Sequence, residues 1–120
     1  MRLLVVVMAV ITAAAISAAS STPATKVLRG TVGPSYTISV KTPAGKLAKT
    51  TKAGTYTLTV QDKSASHDFH LIGPGINKRV TTVAFTGTKS ITIKLKVGRY
   101  TYLCDPHQSV GMKGSFRVTA

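Results

Sequence analysis

Cysteine occurs once in this 120-residue chain, and histidine and methionine three times each. One of each falls within nine positions of the stretch YTYLCDPHQSVGMKGSF, in the order Cys104, His107, Met112. A lone cysteine is most often a small buried hydrophobe, and a loop histidine is most often only solvated. The order and spacing point elsewhere, because a thiolate, an imidazole and a thioether form a soft donor set that selects copper over magnesium or calcium. One more nitrogen is needed, and SASHDFHL offers two. In strand alternation His67, Phe69 and Leu71 share one face, with Asp68 and His70 on the other. His67 opens the strand beside a loop and faces the core, so it is the expected partner of Cys104. His70 lies deeper and faces outward; it is expected at the surface, as a hydrogen-bond donor to the loop of Asp68 or a transient copper entry ligand. Two histidines, one cysteine and a weak axial methionine make the ligand set of blue-copper electron-transfer sites.

Such donors need a scaffold that brings residues 67 and 104 together. YTLTV places Tyr56, Leu58 and Val60 on one face, and ITIKLKV does the same for Ile91, Ile93, Leu95 and Val97. SYTISVK, HDFHLI, VAF and SFRV follow the same period, and turns are signalled at Gly33-Pro34, Pro43-Ala44-Gly45, Gly73-Pro74-Gly75 and Gly87. The expected fold is an all-β Greek-key sandwich of seven to eight strands. KAGTYTLTV (Lys52 to Val60) and KVGRYTYLC (Lys96 to Cys104) echo each other at Lys, Gly, Tyr and Thr. A Gly-x-Tyr at a strand start suits a corner where the tyrosine hydroxyl bonds back to crossing backbone. Tyr56 and Tyr100 are therefore assigned to the fold. On YTYLC, Tyr100, Tyr102 and Cys104 share the inward face, and Pro106 and Gly111 shape the returning loop.

The first stretch, MRLLVVVMAVITAAAISAASS, reads as a signal peptide with cleavage near Ala19, and its apolar run is short for a membrane span. The expected organisation is a leader at 1–19, a short Ser/Thr/Pro linker at 20–25 and one domain over 26–120. A single cysteine cannot form an intramolecular disulfide, and a free thiol outside the cytoplasm needs protection. Sixteen Lys and Arg against three Asp give a net charge of +13. That surface favours acidic redox partner proteins or an anionic cell-envelope surface. Nucleic acid is not expected, because the chain reads as exported and its aromatics suit a core. Hydrolytic catalysis has no Ser–His–acid set to run on. A binuclear copper–thiolate centre needs two cysteines, and a second copper site of the oxidase or nitrite reductase kind needs more histidines than the chain holds.

The chain resembles a small cupredoxin of the plastocyanin and amicyanin kind. CDPHQSVGM carries the plastocyanin spacing, with Pro before the His and Gly-Met closing the loop, and SHDFHL resembles the segment bearing the first histidine ligand. The resemblance implies His67, Cys104 and His107 as in-plane ligands of one copper ion, with Met112 axial. Asp68 stands where the family usually has asparagine, and is expected to accept the backbone N–H that comes after Cys104. Asp105 and Pro106 are expected to support the ligands from behind. Leu103 replaces the tyrosine that precedes the plastocyanin cysteine, and lysines replace the acidic patches, so a photosynthetic role is not implied. The expected function is an exported, monomeric one-electron carrier that is not an enzyme; the alternative is a cell-envelope copper carrier or scavenger. Phe69, Val110 and the Gly73 to Ile76 turn are expected to form an apolar docking rim.

Overall fold

The computed structural model describes residues 25–120, together with Val10 and residues 12–17. Those seven N-terminal residues are exposed and irregular. The expected cleavage point near Ala19 and the linker before Thr25 lie outside the described residues, as does the rest of the leader. No helix among the described residues is long and apolar enough to cross a membrane.

Nine strands make up the domain: β1 (Lys26–Val32), β2 (Ile38–Lys41), β3 (Thr50–Lys52), β4 (Gly54–Asp62), β5 (Phe69–Gly73), β6 (Ile76–Thr81), β7 (Gly87–Leu95), β8 (Gly98–Leu103) and β9 (Lys113–Thr119). One 3-10 turn, Asp105–Val110, joins β8 to β9. The strands form a four-stranded sheet, β2-β1-β4-β7, and a five-stranded sheet, β3-β9-β8-β5-β6. β1 lies parallel to β4 and β3 parallel to β9, and the remaining pairs are antiparallel. The all-β sandwich is as expected, with the three-residue β3 taking the count beyond eight.

The alternating residues of both sheets meet in one core. Leu58 and Val60 of β4 and Phe116 and Val118 of β9 are buried in it. Tyr100 stacks on Phe116 with ring centroids 5.5 Å apart, and Phe69 on Tyr102 at 5.9 Å. Gly30 of β1 permits the close approach between sheets: a Cβ there would stand 2.9 Å from the Phe69 ring. The two echoed tyrosines behave alike. Tyr56 Oη donates to Lys52 O at 2.7 Å. Tyr100 Oη accepts the Lys96 N–H at 2.9 Å and donates to Pro74 O at 2.8 Å.

Three local readings are corrected. Val83 to Phe85 is a turn and not a strand, closed by Phe85 N–H to Thr82 O. β7 ends at Leu95, so Val97 sits in the next turn with its side chain exposed. β2 begins at Ile38, because residues 33–37 are held in a tight loop by Gly33 N–H to Thr37 O.

The topology settles where residues 67 and 104 lie. β5 and β8 are antiparallel neighbours with His70 opposite Leu103, so the start of one strand adjoins the end of the other. His67 precedes β5 by two residues and Cys104 comes directly after β8.

Candidate metal centre

Cys104 is fully buried, and the loop beyond it is closed by its own backbone. Cys104 N–H donates to Met112 O at 3.0 Å, His107 N–H to Cys104 O at 3.1 Å, and Met112 N–H to His107 O at 3.2 Å. Pro106 suits the first turn of the 3-10 segment, where its missing N–H costs nothing. Gly111 reverses the chain with φ 96°, a left-handed conformation that a side chain would strain. The result is a rigid loop that turns His107 back over Cys104. His67 is buried, and its N–H donates to Ser64 O, so it is held by a turn that Asp62 Oδ1 anchors through Ser64 N–H.

The three donors converge. Cys104 Sγ lies 3.5 Å from His107 Nδ1 and 3.7 Å from His67 Nδ1, and the two nitrogens are 3.0 Å apart. A triangle of this size leaves room at its centre for an ion at bond lengths of about 2.0–2.3 Å, typical of metal–imidazole and metal–thiolate contacts. The donor set therefore fits copper in both size and softness. Burial pushes the Cys104 thiol pKa up, so in the metal-free protein it holds its proton and a bound ion must displace it. Met112 is buried in the same core cluster as Cys104 at the loop's end.

Asp68 meets its expectation, since its Oδ1 accepts the Asp105 N–H at 2.6 Å. This bond ties the segment of His67 to the segment of Cys104. Asp105 is partly buried and Pro106 is exposed. The two carboxylates titrate in opposite directions. Burial raises Asp68, and the neighbouring Asp105 raises it further. For Asp105 burial acts the same way, but hydrogen bonds with Asp68, His70 and Arg79 outweigh it and hold the group at about 2.

Two expectations fail here. His70 is buried, not a surface residue: its Nδ1 lies 3.0 Å from both oxygens of Asp105, and its Nε2 is 2.5 Å from Asn77 Oδ1. It does face away from the core, as alternation required, but Leu103, Asn77 and the copper loop cover it; the loop residue it meets is Asp105 rather than Asp68. Phe69 cannot belong to a docking rim, because its ring is fully buried under Gly30. The Gly73 to Ile76 turn lies at the other end of the sandwich, where Tyr100 binds Pro74.

Val110 is exposed, as expected, and the aromatic beside it is Tyr36, which no local pattern in the sequence marks. Tyr36 sets its ring edgewise to His107 at 4.9 Å and to His67 at 5.7 Å, while remaining 66% exposed. Tyr36, His107 and Val110 line a cavity of about 310 Å³. A larger one, about 460 Å³, lies on the outer face of the four-stranded sheet among Arg29, Thr59 and Gln61, away from every donor. In the sequence Tyr36 is only a member of the strand-like SYTISVK after Gly33-Pro34, and its place over the site is set by tertiary packing.

Residues 31–119 match the profile of copper binding proteins, plastocyanin/azurin family. Among solved structures, the chain is similar to rusticyanin from Thiobacillus ferrooxidans, with 23% identity, 78% of this chain and 76% of that one covered, and a TM-score of 0.53. A laccase from Pediococcus acidilactici is 21% identical over 89% of this chain and 30% of that one, with a TM-score of 0.57. A methionine-to-glutamine variant of amicyanin, in the Cu(I) state, is 19% identical over 78% and 83%, with a TM-score of 0.50. No curated protein sequence matches the chain. The extent of the profile match, the shared fold and the converging His–Cys–His donors lead to one assignment: the chain is a small cupredoxin and belongs to the plastocyanin/azurin family of copper-binding proteins.

Proposed function

We propose that this protein is an exported one-electron carrier with a single type 1 copper held by His67, Cys104, His107 and Met112. The observation that carries this reading is the preformed triangle of donors, 3.0 to 3.7 Å on its sides, in a fold closed around it. When bound, copper supplies one-electron exchange between Cu(I) and Cu(II). The chain's part is to hold that ion with little rearrangement. His67 and His107 present Nδ1 as neutral imidazoles, Cys104 presents its thiolate, and Met112 is the weak fourth donor. The loop hydrogen bonds from Cys104 to Met112 hold the backbone of Cys104, His107 and Met112 in place, and the turn at Ser64 holds that of His67.

His107 is the one half-buried donor, and with Tyr36 and Val110 it forms the surface through which an electron reaches a partner. The excess of sixteen cations over three acids favours an acidic redox partner or an anionic envelope surface. Rusticyanin is a copper protein known in a reduced form, and the amicyanin variant carries Cu(I), which supports a redox role for the shared fold. The leader pattern at 1–19 supports export, and the carrier acts as a monomer.

The test is to add one equivalent of Cu(II) to the purified domain and to its Cys104→Ser variant and record visible spectra. The expected result is an intense thiolate-to-copper band, bleached reversibly by ascorbate and absent from the variant. A colourless, easily stripped complex would overturn electron carriage in favour of copper transport.

A further inference from the structure

Behind the donors lies a charged cluster that the ligand set does not use. Asp68 is the residue directly after His67, and Asp105 the residue directly after Cys104. Their segments meet where Asp68 Oδ1 accepts the Asp105 N–H. A second carboxylate so near the donors is costly where Asp68 stands, since its side chain is only 1% exposed, while that of Asp105 is 27% exposed. One cation answers both. Arg79 reaches across from β6, placing Nε 2.9 Å from Asp105 Oδ2 and 3.5 Å from Asp68 Oδ2. His70, the cross-strand partner of Arg79, places Nδ1 3.0 Å from both oxygens of Asp105 and is itself held by Asn77. Among the described residues, Arg79 is the only Lys or Arg within ion-pair distance of a carboxylate, in a chain with sixteen such cations. Two of the protein's three acids are thus gathered at the copper pole and matched there by one arginine.

We propose that Arg79 is a positioning residue for the copper centre: its guanidinium fixes the Asp68–Asp105 link and offsets its negative charge, raising the reduction potential of the bound ion. The inference rests on the redox reading above. Uncompensated negative charge near the metal favours Cu(II) over Cu(I), so removing Arg79 lowers the potential and removing the Asp68 charge raises it. Arg79 is more than half exposed, so its influence is partly screened and weakens with added salt. The same contact holds the Asp105 carboxylate in place, and with it the backbone N–H that Asp68 accepts.

Arg79→Gln, Asp68→Asn and the double variant are compared by voltammetry of the copper-loaded proteins at low and high ionic strength. The expected pattern is a downward shift for Arg79→Gln, an upward shift for Asp68→Asn, and a smaller effect of Arg79→Gln in the Asp68→Asn background. The Arg79→Gln shift should shrink at high salt, and Arg79→Lys should restore part of the potential because it restores charge without the planar fork. An unchanged potential in Arg79→Gln with an intact thiolate-to-copper band overturns charge compensation while leaving the electron-carrier reading standing. A wild type with no reversible couple sinks that reading, and charge compensation with it. The positioning role is read separately on copper-free protein: the Asp105 amide should exchange its hydrogen several-fold faster in Arg79→Gln than in wild type, and equal exchange rates overturn it.

Discussion

β4 and β8 begin with nearly the same sequence and end in different chemistry. Lys52 and Lys96, Gly54 and Gly98, Tyr56 and Tyr100 correspond, and each tyrosine hydroxyl bonds to the backbone of the lysine four residues before it. Further along the inward face Leu58 matches Tyr102 and Val60 matches Cys104, all buried. At this level Cys104 is simply the core residue that Val60 is in the other strand. The two strands part company at their C-terminal ends. β4 continues to Asp62, paired with β1 on one side and β7 on the other. β8 stops at Leu103, and the Cys104 N–H turns to Met112 O across the loop. A buried position becomes a metal site because the chain reverses there and returns a histidine, while the adjoining strand β5 is entered through another.

The sharpest break of this pairing is to make the two positions the same. Cys104→Val should leave the copper-free protein folded, with stability changed by no more than about 1.5 kcal/mol, because one small buried hydrophobe replaces another at the edge of the core. The intense copper band should vanish completely. Denaturant melts of the copper-free protein and visible spectra of copper-treated protein together decide it. A melt lowered by far more than this would show that the thiol has a packing role that Val60 does not share.

The tyrosine pair sharpens the comparison at the opposite pole. Tyr100→Phe removes one bond accepted from Lys96 N–H and one donated to Pro74 O, and should cost about 1–3 kcal/mol. Tyr56→Phe loses the Lys52 carbonyl and the Thr51 hydroxyl in a partly buried setting, for about 0.5–1.5 kcal/mol. Chemical denaturation measures both, and neither variant should alter the copper spectrum. If Tyr100→Phe changes the spectrum, β8 transmits strain from its start to Cys104 and the poles are not independent.

How much of the molecule was legible depends on where each signal resides. Alternation in YTLTV and ITIKLKV depends on one face being buried, so the sandwich was readable from the local pattern. The donors were readable because copper demands rare residue types at short spacing. Val83 to Phe85 shows the limit: three apolar-rich residues satisfy a strand's composition, yet the Thr82 carbonyl closes them into a turn. Phe69 and His70 show another. Alternation placed each on the correct face but could not say what covered that face, since Gly30 and Asn77 come from other strands. Tyr36 carried no local signal, because its meaning depends on a loop folding over histidines 31 and 71 residues away in sequence.

The smallest effect concerns two acids, one at the end of β4 and one just beyond the end of β8. Asp62 closes β4 with a local turn, whereas Asp105 is held by Asp68, His70 and Arg79. Asp105 is lowered in the folded protein from 3.8 to about 2, so its ionised form stabilises the fold. That contribution is complete above the unfolded value and is lost as pH falls through about 2. Asp68 is raised, first by burial, and so acts in the opposite sense, weakening the fold as pH rises beyond 3.8. Comparing wild type with Asp105→Asn separates the two. In the copper-free protein, the melting temperature of wild type should fall more steeply than that of the variant between about pH 4 and pH 2. Parallel curves across that window would mean that Asp105 is as loosely held as an ordinary surface carboxylate, and the contrast between the two strand ends would reduce to the cysteine alone.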